Sequence, residues 1–476
     1  MLKPVVYTSD NDNLYLYNIR ENYSLLMHPD LGKIYHGLDS NVSPYYHNKY
    51  DYLRRMGVFS SLEFTNFDTV LDETVVDNNI QNIRQIVFET TDYCNLNCSY
   101  CSLGDMYDFS KDNPKNIKEE YAINFLDFIF KIKPKESKLM IGFFGGEPLV
   151  NVKFIKRIVE RVKEINVDKK IDVSYNMTTN GTLLGKNLDF LLDNKFNLLI
   201  SLDGDEIGNY YRKYKNGEIA FFDVINNIDM IYKKDPDYFI DHVNFNSVLN
   251  DKNTVKSIYE FIYNRYHKIP IIAQINTSNL NSLKLNLFKK IFRNKRESEK
   301  DFIDSKCELS YLFHQELVSY RDLSVFLHYN SINYYILDLL QLIYEDISLY
   351  PTGTCFPFQR KMFLNTNSDL LPCEKVCYQH VLGHVDDNVT IDIDEIIQKY
   401  NEFYKYFKEV CQYCYSQKSC SICLLTLENL DKIGTAEFSC PGFMDGTKFG
   451  SKLSAVFSFL ESHPRDFFKA MDKVMI

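Results

Sequence analysis

The chain has 476 residues, of which 45% are hydrophobic, and a formal net charge of −10. This length suits two or three globular domains with substantial cores, and the negative charge disfavours a nucleic-acid partner. The first residues lack the apolar run of a signal peptide, and no apolar run reaches transmembrane length. We therefore expect a cytoplasmic protein without a membrane partner.

The N-terminal part of the chain is predicted to form a small separate domain. Two short β-like runs, 4–8 and 14–18, are separated by a polar turn and predict a hairpin. Helical patterns follow at 24–38 and 46–57. The acidic, Asn-rich stretch 68–82 is typical of a linker.

From residue 85 the pattern becomes regular, with six predicted strands that alternate with helices. The strands are predicted at 85–91, 138–144, 172–179, 197–203, 242–249 and 270–275. The helices are predicted at 117–132, 151–166, 184–194, 221–234 and 253–266. This alternation implies parallel βαβ units, and barrels of such units build their sites at the C-terminal ends of the strands.

The remainder is predicted to be helical at 277–350 and loop-rich at 355–440. The apolar spacing of 331–350 favours a helix that faces a core over a membrane helix. The tail, 452–475, is predicted as one amphipathic helix.

Cys94, Cys98 and Cys101 form a CxxxCxxC motif directly after the first of the six strands. Three thiolates can hold three irons of a four-iron cluster and leave the fourth iron open to a small molecule. The alternative is a zinc site, which prefers four protein ligands. Neither a His nor a fourth Cys follows closely, so the cluster is favoured over zinc.

The other cysteines are grouped as well. Of 12 in total, three lie at 94–101, one is Cys307, three lie at 355–377 and five lie at 411–440. Because cytoplasmic thiols stay reduced, this clustering indicates metal rather than disulfides. For the lone Cys307 we expect only a buried thiol.

Three further motifs lie at strand ends: Gly-Gly-Glu-Pro, Thr-Asn-Gly and Ser-Leu-Asp-Gly. Glycines permit a close approach to the backbone, and a carboxylate can hold an ammonium group. Each motif alone also fits an ordinary turn, and a lone Arg is usually exposed. The candidate residues are Gly145, Gly146, Glu147, Pro148, Asn180, Ser201 and Arg212.

With these motifs in place, residues 85–276 resemble a radical S-adenosylmethionine (radical SAM) domain. The resemblance implies a partial (β/α)6 TIM-type barrel in which the three cysteines hold a [4Fe–4S] cluster. SAM binds the open iron, and one electron cleaves it to a 5′-deoxyadenosyl radical that abstracts hydrogen from a substrate.

The resemblance also implies roles for the strand-end residues. Tyr100 is the expected aromatic residue before the last cysteine, Glu147 within Gly-Gly-Glu-Pro receives the SAM amino group, and Asn180 lies near the cofactor. Ser201 faces the SAM ribose, and Arg212 pairs with the SAM carboxylate. The His-Asp pair that usually precedes this arginine is replaced by Gly-Asn-Tyr-Tyr.

The C-terminal cysteines resemble a SPASM domain, which binds two auxiliary four-iron clusters. This chain departs from the SPASM pattern at two places. Ser368 stands where the family has glycine, and the spacing from Cys420 to Cys423 is one residue shorter than usual. Paired CxxC spacing also suits zinc. By the resemblance, the distal cluster is held by Cys411, Cys414, Cys420 and Cys440. The proximal cluster is held by Cys355, Cys373 and Cys423, completed by Cys377 or left with one open iron.

Glu374 directly follows Cys373. The resemblance to sulfatase-maturing enzymes, which have an Asp there, implies a base toward the substrate radical. An exposed loop glutamate is the alternative.

The resemblance further favours radical SAM peptide maturases, with a winged-helix-like N-terminal domain in which a leader peptide adds a strand to a sheet edge. The alternative for that segment is a plain extension packed on the barrel. The predicted function is a crosslink (thioether, C–C or C–O) or an oxidation in a ribosomally made precursor peptide, with a one-electron donor such as flavodoxin or ferredoxin. The alternatives are a sulfatase-type formylglycine maturase, a small-molecule radical SAM enzyme, or a non-catalytic zinc or iron–sulfur binding protein.

The predicted fold class is therefore α/β, with a loop-rich iron–sulfur domain after the barrel. The predicted ranges are 1–84 for leader recognition, 85–280 for the barrel, 281–350 for a helical bridge, 351–445 for the SPASM domain and 446–476 for a C-terminal helix.

Overall fold

The computed structural model describes residues 1–63, 65–107, 114–330, 349–376 and 378–475. The chain divides into two compact units that interleave along the sequence. The first unit contains Met1–Leu71, His314–Thr354 and Gln398–Ile476, and the second contains Asp72–Phe313 and Cys355–Ile397.

The first unit begins with an antiparallel sheet in the order β1 (Val5–Thr8), β2 (Leu14–Asn18) and β3 (Tyr23–Leu26). The predicted hairpin is confirmed, but the helix predicted at 24–38 is wrong at its start, where β3 lies. The helix α1 begins only at Pro29 (Pro29–Tyr35), because His28 caps it by accepting from the Asp30 amide and proline suits the first turn. It is followed by α2 (Pro44–Arg55).

The second unit contains the six predicted strands and their helices. Its elements are α3 (Glu73–Gln81), β4 (Gln85–Thr91), α4 (Glu119–Ile132), β5 (Lys138–Gly145), α5 (Val152–Ile165), β6 (Asp172–Thr179), α6 (Leu188–Asp193), β7 (Asn197–Ser201), α7 (Phe221–Lys234), α8 (Pro236–His242), β8 (Val243–Leu249), α9 (Val255–Tyr266), β9 (Ile271–Gln274), α10 (Leu285–Ile291), α11 (Lys295–Asp304) and α12 (Glu308–Leu312). The apolar positions of these helices recur at helical spacing and are buried, as in α5.

Later segments return to both units. They are α13 (Val318–Asn330), β10 (Met362–Leu364), β11 (Asp369–Leu371), β12 (Gly383–Val385), β13 (Val389–Thr390), α14 (Ile393–Cys411), α15 (Gly446–Ser462) and α16 (Pro464–Met475). Of these, α13, α15 and α16 belong to the first unit, where α15 packs on the sheet face that carries Val5 and Tyr7.

In the second unit one sheet runs in the order β13-β12-β11-β10-β4-β5-β6-β7-β8-β9. The strands from β4 to β9 pair in parallel and in sequence order, which confirms the βα repeat. The strand β10 adds in parallel beside β4, with Met362 opposite Ile86, and β11 to β13 continue it in antiparallel fashion. These four strands lie in the segment predicted to be loop-rich, and they are too short to give a periodic signal.

Two other predictions are corrected. The stretch predicted as a linker contains α3, because Asp72 caps it and Val76 and Ile80, one turn apart, are buried. The predicted single C-terminal helix is two helices, since α15 ends at Ser462 and Pro464 starts α16. Of the helix predicted at 331–350, residues 331–348 lie outside the described part of the chain. Within the described parts of the chain, none of the helices has the length and apolar content needed to cross a membrane.

Candidate functional site

The cysteine loop follows β4 and places three thiols close together. Electrostatic interactions link Cys98 with both Cys94 and Cys101. Burial raises the pKa of Cys94 to about 11 and that of Cys98 to about 12, and it also raises the pKa of Cys101. Such raised pKa values favour the protonated thiols, and a bound cationic centre would favour the thiolates instead.

The donor set fits an iron–sulfur cluster better than a single ion. Among the described residues, no group of three or more His, Cys, Asp or Glu side chains is arranged to hold one metal ion. Sulfurs that hold a four-iron cluster bind different irons and need not converge on one point. Three cysteines that each bind one iron would leave the fourth iron of such a cluster open.

The Gly-Gly-Glu-Pro turn packs against the backbone of this loop. The amides of Gly146 and Glu147 donate to the carbonyls of Thr91 and Tyr93, both at 2.9 Å. A Cβ on Gly145, whose φ is +133°, would lie 2.2 Å from the Thr91 carbonyl oxygen. The glycines are therefore required by the close approach of the protein's own chain.

Glu147 is completely buried at the end of β5. Its carboxylate accepts hydrogen bonds from the Leu149 amide (3.1 Å), the Thr179 hydroxyl (2.8 Å) and the Asn180 amide (2.7 Å). Burial nevertheless raises its pKa to about 7. Pro148 is buried beside it as the first residue of a short 3-10 helix, so the turn is rigid on both sides.

Asn180 connects the end of β6 to the cysteine loop. Its side-chain amide donates to Asn95 Oδ1 at 2.9 Å and lies 3.7 Å from Cys94 Sγ. Asn95 in turn donates to the Thr182 hydroxyl at 2.8 Å. The structure thus brings Asn180 to the first cysteine, and its contact with a cofactor stays a prediction.

At the end of β7, Ser201 is half-buried and pairs in register with Asn246 of β8. Two residues further on, the buried carboxylate of Asp203 accepts from the Tyr100 hydroxyl and from Nε of Arg212 at 3.0 Å. Tyr100 and Arg212 are themselves buried. Arg212 is therefore not exposed, as a lone Arg usually is.

Two residues of this region, Asn95 and Asp203, were not predicted as site residues from the sequence. Asn95 follows the first cysteine directly, and Asp203 lies inside the Ser-Leu-Asp-Gly motif. Their positions inside recognised motifs were the available signal. Asn95 bonds to Asn180, 85 residues away in the sequence, and Asp203 bonds to Tyr100, 103 residues away. Such long-range pairs leave no local pattern.

A second group of thiols gathers in the first unit. Cys411 interacts electrostatically with Cys414, Cys420 and Cys440, and Cys440 with Cys414 and Cys420. Burial raises the pKa of Cys411 to about 12 and also raises the pKa values of Cys420 and Cys440. These four cysteines are the predicted distal set, and the structure brings them together.

The remaining predicted ligands are divided between the units. Cys355 and Cys373 belong to the second unit and Cys423 to the first, so their joint role stays a prediction. Cys377 lies outside the described residues. Cys307 is half-buried at the start of α12, not fully buried as expected, and hydrogen bonds to the sulfur from Ser305 and Ser310 lower its pKa despite some burial.

Glu374 is mostly buried and forms an ion pair with Lys361. The ammonium group lies 3.0 Å from both carboxylate oxygens. The side chains of Glu374 and Lys361 are 17% and 21% exposed, respectively, which argues against a freely solvated loop glutamate. Glu374 is thus a fixed carboxylate next to Cys373 in the chain, and its role as a base stays a prediction.

Parallel βα units with a cysteine loop at the C-terminal end of the first strand define an α/β barrel-type protein with a cluster site. Residues 88–262 match the Radical SAM superfamily. They form a radical SAM domain, the module of an enzyme superfamily that binds SAM at a [4Fe–4S] cluster.

Relatives of this domain are found among characterised proteins. The radical SAM cyclopropyl synthase TigE of Paramaledivibacter caminithermalis is 26% identical over 179 residues, 36% of each chain. The serine-type anaerobic sulfatase-maturating enzyme of Bacteroides thetaiotaomicron is 30% identical over 164 residues, 34% of this chain and 38% of that one. The chain thus spans less than half the length of the curated relatives it matches.

A solved structure resembles more of the chain. Native anSMEcpe with bound AdoMet superposes with a TM-score of 0.53 at 18% identity, covering 81% of this chain and 99% of that one. A likeness at this identity establishes the fold, and it agrees with the parallel sheet described above.

Proposed function

We propose that this protein is a radical SAM peptide maturase that installs a crosslink (thioether, C–C or C–O) or an oxidation in a precursor peptide. The observation that carries the proposal is the second gathering of cysteines, at residues 411, 414, 420 and 440, in a chain that already has a radical SAM domain. Auxiliary clusters can accept the electron left on a substrate after hydrogen abstraction. The relatives named as a synthase and as a maturating enzyme support the same class of chemistry.

In this proposal SAM and its cluster supply, when bound, an organic radical that removes a hydrogen atom from the peptide. Cys94, Cys98 and Cys101 hold that cluster, and Glu147 receives the amino group of SAM. Gly145 and Gly146 keep this carboxylate close to the cysteine loop. The Gly146 amide donates to the Thr91 carbonyl, and neither glycine has a Cβ that would prevent the close packing.

The auxiliary site is proposed to be a SPASM module with two further [4Fe–4S] clusters. The distal one uses the four cysteines that gather in the first unit. For the proximal one, Cys355, Cys373 and Cys423 are proposed from the resemblance alone, with Glu374 as the base. A flavodoxin or a ferredoxin is the proposed electron donor.

The N-terminal sheet offers an edge for a leader peptide. Ser9 and Asn13 form a hydrogen-bonded pair, and the alternation of an antiparallel ladder then turns the Val6 amide and carbonyl away from β2. They face a groove of about 600 Å³ between Tyr35 and the Thr447 to Ser454 side of α15. An extended peptide in this groove would gain main-chain hydrogen bonds at Val6, since the Pro4 and Thr8 carbonyls already accept from the hydroxyls of Tyr35 and Ser454.

A proline at each sheet edge tests this docking surface. Val6→Pro removes an outward N–H without breaking the β1–β2 ladder, and Leu26→Pro does the same on β3, the opposite edge. We expect Val6→Pro to weaken binding of the leader peptide at least tenfold, about 1.4 kcal/mol, and Leu26→Pro to leave it unchanged. Loss of binding in Leu26→Pro alone would place the leader on β3 and contradict the assignment.

The reaction itself is tested by co-expression with a precursor peptide encoded beside this gene, followed by mass spectrometry. A crosslink resists fragmentation between the joined residues, whereas the formylglycine of a sulfatase-type maturase reacts with a hydrazide probe. Anaerobic incubation with SAM and dithionite separates both from a non-catalytic binding protein. Absence of 5′-deoxyadenosine in that assay would rule out the enzyme.

A further inference from the structure

Asp203 lies at the centre of a buried hydrogen-bond network between the cysteine loop and the end of β7. The residue is completely buried. Its carboxylate accepts from the Tyr100 hydroxyl, from Nε and Nη2 of Arg212 at 3.0 and 3.1 Å, and from the Val248 amide at 2.7 Å. Both carboxylate oxygens are therefore occupied by donors from three separate segments.

The backbone of Asp203 is fixed as firmly as its side chain. The Asp203 amide donates to Asn209 Oδ1 at 3.1 Å, and the Asp203 carbonyl accepts from Asn253 Nδ2 at 2.9 Å. With its backbone and side chain both fixed, the carboxylate has one position. The groups that donate hydrogen bonds to this carboxylate are therefore held in place as well.

Two of the groups bonded to Asp203 are candidates for contact with the cofactor. Tyr100 lies between Cys98 and Cys101 in the chain, and the guanidinium carbon of Arg212 lies 5.6 Å from the centre of the Tyr100 ring. Asp203 engages Nε and Nη2 of Arg212, which leaves Nη1 as the nitrogen for another anion. A bidentate pair of this kind fixes the plane of a guanidinium group.

We propose that Asp203 is a positioning residue of the SAM site. It holds the Tyr100 ring against the cysteine loop and orients Arg212 so that Nη1 remains available to the carboxylate of SAM. The inference rests on the proposed SAM contacts of Tyr100 and Arg212 and not on the identity of the peptide. SAM binding without peptide tests it, so its failure is distinguishable from failure of the maturase proposal.

The test is Asp203→Asn in the anaerobically reconstituted full-length protein. Asparagine keeps the size and one acceptor but loses the charge that orients Arg212. We expect the Kd for SAM to rise about tenfold to a hundredfold, the range for loss of a charged hydrogen bond. The SAM-induced change in the EPR spectrum of the reduced cluster should need correspondingly more SAM, while iron bound to Cys94, Cys98 and Cys101 stays at the wild-type level.

A matched control is Asp229→Asn. Asp229 also accepts from a tyrosine hydroxyl, that of Tyr266 at 2.9 Å, and from Arg265 at 2.5 Å, but it joins α7 to α9. Loss of the Asp229 carboxylate charge should leave the Kd for SAM within twofold of the wild-type value. This control separates the effect of Asp203 from the general cost of neutralising an aspartate that is paired with tyrosine and arginine.

A double variant shows whether Asp203 acts through Arg212. If it does, Asp203→Asn combined with Arg212→Met should bind SAM no more weakly than Arg212→Met alone. Additive losses, or an Asp203→Asn protein with wild-type SAM affinity, would overturn the proposal. If Asp203→Asn does not fold, Tyr100→Phe removes only the hydroxyl, and an unchanged SAM titration of the EPR signal in that variant would overturn it instead.

Discussion

Asn180 donates a 2.9 Å hydrogen bond to Asn95, and this bond joins the loop after β6 to the residue that follows the first cysteine. Thr182 completes the arrangement, since its hydroxyl accepts from Asn95 at 2.8 Å and donates to Asn180 Oδ1 at 2.7 Å. The cysteine loop is therefore held by side chains from another strand end. Cluster retention should depend on these amides as well as on the thiols.

Asn95→Ala should weaken the retention of the SAM-binding cluster. The substitution removes the two side-chain hydrogen bonds of Asn95, which are worth about 2 kcal/mol together. We expect faster loss of iron and of cluster absorbance under a chelator. Asn97→Ala is the control, because Asn97 lies between the same cysteines but is exposed. Equal rates of iron loss in the two variants would contradict a role for Asn95.

SAM binding should become tighter as the pH rises toward neutrality. Burial raises the pKa of Glu147 to about 7, and only the ionised carboxylate attracts the amino group of SAM. The ionised fraction then rises about fivefold between pH 6 and pH 7, and the Kd for SAM should fall by about that factor. Titration of the protein with SAM at several pH values measures the effect.

Glu147→Gln supplies the comparison for this pH dependence. Gln cannot titrate, and its amide group would face the donors of Thr179 or Asn180. The variant should bind SAM weakly and with no change between pH 6 and pH 7. A pH dependence that survives in the variant would assign the titration to another group.

Tyr378→Phe should destabilise the β10–β11 hairpin. The Tyr378 hydroxyl donates to the completely buried carboxylate of Glu89, whose other oxygen accepts from the Thr366 amide at 3.0 Å. Loss of a donor to a buried charge costs about 2 kcal/mol. We expect faster amide hydrogen exchange at Leu364 and Leu370, whereas Tyr413→Phe, at an exposed tyrosine, should leave the exchange unchanged.

The repeat of strands and helices was predictable from the sequence because most of its elements are long enough to show their period. The strand β6 and the helix α7 begin and end at the predicted residues. The motif positions were predictable for the same reason, since they follow strand ends. By contrast, β3 and β10 have four and three residues, too few for a period to distinguish strand from helix.

The contacts within the site were less predictable than its members. Glu147, Asn180 and Arg212 were identified, but their protein partners depend on which strand ends lie side by side. The pair of Asp203 with Tyr100 forms only when β7 has taken its place in the sheet. Residues that act through such pairs carry no spacing signal of their own.

Ser368→Gly should stabilise the protein, because Ser368 occupies a backbone conformation that suits glycine. Its φ is +69°, in the turn where its amide donates to the Asn365 carbonyl at 3.0 Å. Relief of the left-handed strain is worth about 1 kcal/mol, and it should raise the thermal midpoint of the holoprotein by about 1–2 °C in a protein of this size.

The control for this substitution is Ser451→Gly, at an exposed position within α15. There the backbone is helical, and glycine should cost about half a kcal/mol relative to serine. Differential scanning calorimetry should therefore give shifts of opposite sign for the two variants. A lower midpoint in Ser368→Gly would show that the serine side chain contributes more to the turn than its backbone strain costs.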